Sequence, residues 1–149
     1  MISLIILGII FLYAIISYNT LTRKRNNVDN AFGSIDVMLK KRFDLIPNLV
    51  ATVQQYAKHE EETFTKITNL RTKSYDSLTA EEKADFDKTF TAAKNNFFMV
   101  AENYPALRSS ENFMQLQKTL NETEEQLSAS RRTYNAACLL YTSDAADDM

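Results

Sequence analysis

Hydrophobic and polar positions fall into two regimes along this chain. From Ile2 to Ile16 every residue is apolar except Ser3 and Gly8, and no charged side chain occurs before Arg23. Beyond Arg23 the apolar residues recur at intervals of three and four, the mark of one buried face on a helix. Val28, Phe32, Ile35 and Leu39 form the first such stripe. Ile46, Leu49, Val53 and Tyr56, then Phe64, Ile67 and Leu70, predict a second helix that starts at Pro47 and runs to Tyr75. Pro47 suits a first turn, where its missing amide hydrogen costs nothing. Thr79-Ala80-Glu81-Glu82 reads as a capping box opening a third helix, with Phe86, Phe90, Ala93, Phe97 and Val100 on one face and an end before Pro105. Ser109 or Ser110 caps a fourth, in which Phe113, Leu120, Leu127, Tyr134 and Tyr141 recur every seven residues. The intervening seam positions are Leu116, Thr123, Ser130 and Ala137, mostly small or polar, and such a heptad implies gentle supercoiling.

The first regime has membrane dimensions. About 20 helical residues at about 1.5 Å each match a hydrocarbon core of about 30 Å. Tyr13, Ser17, Tyr18, Asn19 and Thr20 suit the headgroup level. A cleaved secretory signal wants a basic residue before the run and a small-x-small site after it. Ile2-Ser3-Leu4 and Ile16-Ser17-Tyr18-Asn19 supply neither, so an uncleaved anchor is expected. Arg23, Lys24, Arg25, Lys40, Lys41 and Arg42 all follow the run, which places the N-terminus outside and the body in the cytoplasm by the positive-inside rule. With no breaker after the run, α-helix is expected to continue from about residue 3 to 42. The expected fold is all-α: an N-terminal transmembrane helix continuing into an antiparallel, up-down-up-down bundle of long helices. Residues 1–22 form the anchor, 23–141 the bundle and 142–149 a tail.

Composition removes most chemistry. Among 149 residues there are two Gly and two Pro, too few for the turns of a sheet protein or for a Gly-rich phosphate loop. One Cys and one His exclude a disulfide framework and the common zinc sites. Lys+Arg 17 against Asp+Glu 19 leaves a net charge of -2, with no basic field for nucleic acid.

Candidate groups reduce accordingly. His59 beside Glu60, Glu61 and Glu62 lacks the second His that a metalloprotease helix needs, since position 63 is Thr. In a bundle, His59 and Cys138 would differ in height by about 24 Å, at about 1.5 Å per residue, too far for a nucleophile and its base. Asn26, Asn30, Asn48, Asn103 and Asn135 are expected to be solvated or capping. Asp36, Lys40 and Asp44, spaced by four, suit helix-surface pairing. With Arg42, Pro47 and Asn48 they form a candidate interaction patch at the bundle tip. No catalytic residue, metal ligand or cofactor is expected.

One resemblance is specific. Tyr18-Asn19, Arg25-Asn26-x-Val28-x-Asn30-Ala31 and the long block from Ile35-Asp36-Val37 to Pro47-Asn48-Leu49-Val50 resemble the LemA family signature. Val53, Tyr56-Ala57 and His59-Glu60 continue it, as do Ala101-Glu102-Asn103-Tyr104-Pro105, Phe113-x-x-Leu116-Gln117, Thr123-Glu124 and Arg131-Arg132-x-Tyr134-Asn135. The resemblance implies a bacterial protein with one N-terminal membrane helix, a helical-bundle body, and no established activity or cofactor. From Cys138 the chain departs from the family pattern, which would continue with a second Tyr-Asn and a Phe-Pro, so 142–149 are set apart as an atypical tail, disordered or foreign. The functional expectation is a non-enzymatic, single-pass scaffold or interaction module of the bacterial cell membrane. Its expected partners are the lipid bilayer and other envelope proteins or a second copy, with no nucleic acid and no small-molecule substrate. The alternative is a regulatory partner of a membrane protease or signalling complex.

Overall fold

The computed structural model describes residues 2–57, 60–71 and 73–147. Six α-helices account for nearly all of them: α1 (Ile2–Asp44), α2 (Ile46–Tyr56), α3 (Glu61–Asn69), α4 (Ala80–Glu102), α5 (Pro105–Arg108) and α6 (Glu111–Asp147), with a 3-10 turn at Tyr75–Ser77. Among the described residues there is no strand. The chain divides into two compact units, one comprising residues up to Ile35 and from Ser128, the other Asp36–Leu127.

α1 is continuous, as expected, and passes the 22/23 boundary without a break. Eleven large apolar side chains between Ile5 and Tyr18 are 45–71% exposed. α1 stops where Pro47 removes an amide that would have bonded the carbonyl four residues back. Leu45 instead bonds to Arg42 O at 3.2 Å, and Pro47 sits in the first turn of α2.

The second predicted helix is two. α2 ends at Tyr56 and α3 begins at Glu61, and Ala57, at φ -130° and ψ 52°, has left helical geometry. The apolar stripe runs on across this joint, which is why periodicity alone predicts one helix. The acidic run decides otherwise, because Glu61 and Glu62 occupy the first turn of α3, where the helix dipole favours negative charge. α3 then ends at Asn69, before Tyr75. His59 and the side chain of Phe64 lie outside the described residues.

Other local expectations are met. Thr79 accepts from Glu82 N at 3.2 Å and donates its own amide to Glu82 Oε2 at 2.8 Å, a complete capping box. Ser110 Oγ accepts from Phe113 N at 3.2 Å at the start of α6. α6 continues to Asp147.

Within the 36–127 unit, α2 packs on α3, α3 on α4, and α5 on α2 and α4. Phe86, Phe90, Ala93, Phe97 and Val100 are all buried, as are Phe113, Leu116, Leu120, Thr123 and Leu127 of α6. Phe43, Tyr75, Phe86 and Phe90 form one aromatic chain with successive centroids 5.7 to 6.4 Å apart. Phe97 meets Phe98 and Phe113 in tilted ring contacts at 5.6 Å each. In the other unit Ala31 is buried and Phe32 meets Tyr134 at 6.0 Å, although the Phe32 side chain remains 52% exposed.

Phe97 is 0% exposed, so Phe97→Ala is expected to cost about 3–5 kcal/mol. Thr79→Ala, which loses only the cap, is expected to cost about 1 kcal/mol. Urea titration of helical circular dichroism, on the full chain in detergent micelles, measures both; equal losses would contradict this assignment of core and cap.

Candidate functional site

The predicted patch draws on the end of α1 and the start of α2, and the structure separates its members. Arg42 is three residues after Leu39 and four before Ile46, so it shares their buried face and is 2% exposed. Its Nη1 donates to Asp87 Oδ1 at 2.5 Å and its Nη2 to Glu124 Oε2 at 2.6 Å. The guanidinium also lies 5.5 Å from the Phe90 ring centroid. Lys94 donates to the same Glu124 oxygen at 2.8 Å. Arg42 therefore belongs to the interior and is unavailable to a partner, which corrects its place in the patch. Burial works against the Glu124 carboxylate, but the Lys94 hydrogen bond and the Arg42 charge outweigh it and lower its pKa.

Asp36 and Lys40 also turn to other elements. Asp36 Oδ1 accepts from Lys83 Nζ at 2.6 Å and from the Tyr75 hydroxyl at 2.8 Å. Burial opposes the Asp36 charge, yet these two hydrogen bonds prevail and lower its pKa. Burial, then the Asp36 carboxylate, pushes the Tyr75 phenol well above its ordinary range, so it remains a donor. The Lys83 ammonium sits 4.6 Å from the Tyr75 ring centroid. Lys40 pairs with Asp76 at 2.8 Å on the surface, and Asp76 raises its pKa.

Asp44, Pro47 and Asn48 remain exposed. Asn48 lines a groove of about 280 Å³ together with Ala51, Thr52, Asn112, Gln115 and Thr119. Every polar side chain in that lining is a carboxamide or a hydroxyl. Asn26, Asn30, Asn103 and Asn135 are exposed too, and Asn103 caps the C-terminus of α4.

The residues missed by spacing are Tyr75, Lys83, Asp87, Lys94 and Glu124. A charged residue in phase with an apolar stripe, as Arg42 is, was the available signal that buried partners exist. Asp36 carries no such signal, because its partners are 39 and 47 residues away. Chemically, Arg42, Lys94, Asp87 and Glu124 balance two positive charges against two negative ones, an arrangement suited to holding helices. Among the described residues no three of His, Cys, Asp and Glu gather in a way that could hold a metal ion. Cys138 is a half-buried free thiol in the unit that contains Ser128 onward.

Truncating Arg42 to Met removes the guanidinium from Asp87, whose side chain is 16% exposed. The expected loss is about 3 kcal/mol or more, while Glu124→Gln, at a 46% exposed side chain, is expected to cost about 1 kcal/mol. Urea midpoints give both values, and an unperturbed Arg42→Met would contradict the role assigned to the network.

The pH response follows from the same carboxylates. Asp36 and Glu124 lie below their ordinary values, and Lys73 together with the Thr79 cap lowers Glu82 to about 2. A depressed folded pKa gives stability that is complete above the unfolded value of about 4 and is lost as pH falls through the folded value. Urea midpoints are thus expected to fall below about pH 4, less steeply in Asp36→Asn.

The chain matches the family model described as the LemA family over residues 31–147. It is similar to "Protein LemA" of Metamycoplasma hominis, 26% identical over 142 residues, which are 92% of this chain and 63% of that protein. The chain thus spans less than two thirds of the length of the curated relative it matches.

Proposed function

The chain belongs to the LemA family, and from that premise we propose that it is a membrane-anchored, non-enzymatic interaction module of the bacterial envelope. One observation carries the reading. The eleven large apolar side chains between Ile5 and Tyr18 are exposed on a helix that is long and apolar enough to cross a membrane by length and composition. At about 25 cal/mol per Å² of apolar surface, such a face favours hydrocarbon over water by many kcal/mol. α1 carries this face without interruption into the residues that pack in the 36–127 unit.

The body is read as an antiparallel up-down bundle. Lys41 meets Gln126 and Arg42 meets Glu124, so position rises along α1 as it falls along α6, which supports that arrangement. The basic residues after the apolar run support an outside N-terminus and a cytoplasmic body. The interaction role rests on a surface with polar grooves and with Asp44, Pro47 and Asn48 exposed, while the strongest charge groups serve internal pairing.

Alkaline extraction of membranes from expressing cells is expected to leave the full chain in the pellet, and release into the supernatant would refute a spanning anchor. A reporter active only in the cytoplasm, fused after Arg132, is expected to be active; an inactive fusion would reverse the orientation. Crosslinking in intact cells is expected to join the body to envelope proteins or to a second copy.

A further inference from the structure

One face of the apolar part of α1 differs from the others. Ile5, Gly8, Leu12, Ile15 and Asn19 alternate at spacings of three and four, and all five are exposed. Such spacing lines residues up along a helix as the seam through which two helices of a coiled coil meet. An apolar helix presents several such lines, and Gly8 and Asn19 set this one apart. They are eleven residues apart, three turns, which at about 100° per residue leaves them about 20° from alignment. A Cβ added to Gly8 would meet nothing within 4 Å, so packing inside the chain does not require the glycine. A neighbouring helix in a membrane makes use of it, because a missing side chain lets a second backbone come close.

Asn19 is the other distinctive member. Ser17, Asn19 and Thr20 are the non-aromatic polar residues between Ile5 and Thr20 apart from Gly8. The Thr20 hydroxyl donates to Ile16 O at 2.9 Å, and Ser17 has a partner as well. The Asn19 carboxamide takes part in no hydrogen bond among the described residues. It lies one turn before Arg23, the first charge, on the apolar side. Where water is scarce, an unpaired carboxamide is costly. Copies of one chain insert in one orientation, so a second copy brings its own Asn19 to the same depth. A carboxamide has both donors and an acceptor, so it is its own complement. We propose that α1 pairs in parallel with α1 of a second copy through Ile5, Gly8, Leu12, Ile15 and Asn19, the two Asn19 carboxamides hydrogen-bonding across the two-fold axis. The proposal rests on the reading that α1 spans a bilayer. A helix of another protein matches this face only if it carries a polar group at the depth of Asn19, a condition that a second copy meets by symmetry.

The test uses the full chain with Cys138→Ser, which removes the one native thiol, and a single new cysteine in α1. The purified chain is placed in phosphatidylcholine vesicles at a low ratio of protein to lipid and oxidised mildly. A disulfide forms only where two Cα atoms come within about 7 Å. Leu12→Cys is expected to give a covalent dimer. Ile10→Cys, on the opposite face and equally exposed at 61% against 62%, is expected to give severalfold less. In the Leu12→Cys chain, Asn19→Leu is expected to reduce the dimer about three- to tenfold, whereas Asn19→Gln, which keeps the carboxamide, retains it. Gly8→Ile, for which a single chain has room, is expected to reduce it as well. Equal crosslinking at positions 10 and 12, or no dimer from inserted chain, overturns the interface while leaving the anchor in place. An undiminished dimer in Asn19→Leu overturns the carboxamide pair and so the proposal. Release of the chain from the vesicles by alkaline extraction overturns the spanning reading and, with it, the proposal.

Discussion

A guanidinium 2% exposed to solvent must be matched by carboxylates or the fold does not close, and Arg42 imposes that condition on three helices at once. α1 places it on the buried side, three residues after Leu39 and next to Phe43. α4 must then present Asp87, the neighbour of buried Phe86, and α6 must present Glu124, the neighbour of buried Thr123. Slipping α4 by one turn would bring Lys83 or Thr91 to the position of Asp87, and slipping α6 would bring Leu120 or Ser128 to that of Glu124. The first alternative sets cation against cation or leaves a hydroxyl, and the second leaves the second arm of the guanidinium without a carboxylate. Either way the apolar stripes would still meet. Oily faces tolerate slippage by a turn, whereas a buried charge does not, so the ion network selects among registers that the hydrophobic effect alone would leave close in energy.

The same helix obeys an opposite rule near its N-terminal end. Between Ile5 and Tyr18 large apolar residues face outward on all sides, while from Ala31 to Phe43 only one face is buried. A single uninterrupted α1 can serve both environments because helical hydrogen bonding is indifferent to the surroundings of the side chains, and because hydroxyls such as that of Thr20 bond back to the helix. Neither Gly8 nor Gly33 departs from helical backbone geometry, so neither acts as a joint. Pro47 does, by a missing amide, and it marks the point where the chain leaves α1 for the short helices.

What was legible in the sequence had a local cause. The ladder from Phe86 to Val100, the capping box at Thr79, the heptad through Phe113, Leu120 and Leu127, and the joint at Pro47 each depend on residues within one or two turns. The break between α2 and α3 was hidden because the apolar stripe keeps its phase across it, and only the acidic start at Glu61 and Glu62 betrays it. The candidate patch was half legible. Spacing places Asp36, Lys40 and Asp44 on one helix surface, but spacing carries no information about Lys83, Tyr75 and Asp76, which reach the first two from distant segments. Arg42 shares the phase of buried Leu39 and lies in the interior, apart from the exposed members of the patch.

Relocating those charges changes what the surface can recognise. Of the six patch residues, Arg42 is consumed by the interior, while Asp36 and Lys40 already hold partners. Asp44, Pro47 and Asn48 remain, and beside them lies a groove whose polar lining is carboxamide and hydroxyl. Such groups bind through hydrogen-bond geometry and shape, which salt screens little. The basic triplet at Arg23–Arg25 works by net charge and is sensitive to salt for the same reason. The groove and the triplet belong to different compact units and expose different chemistry, carboxamide and hydroxyl at the one and cations at the other. That separation follows from where the fold uses its ion pairs, in the interior at Arg42 and between segments at Asp36.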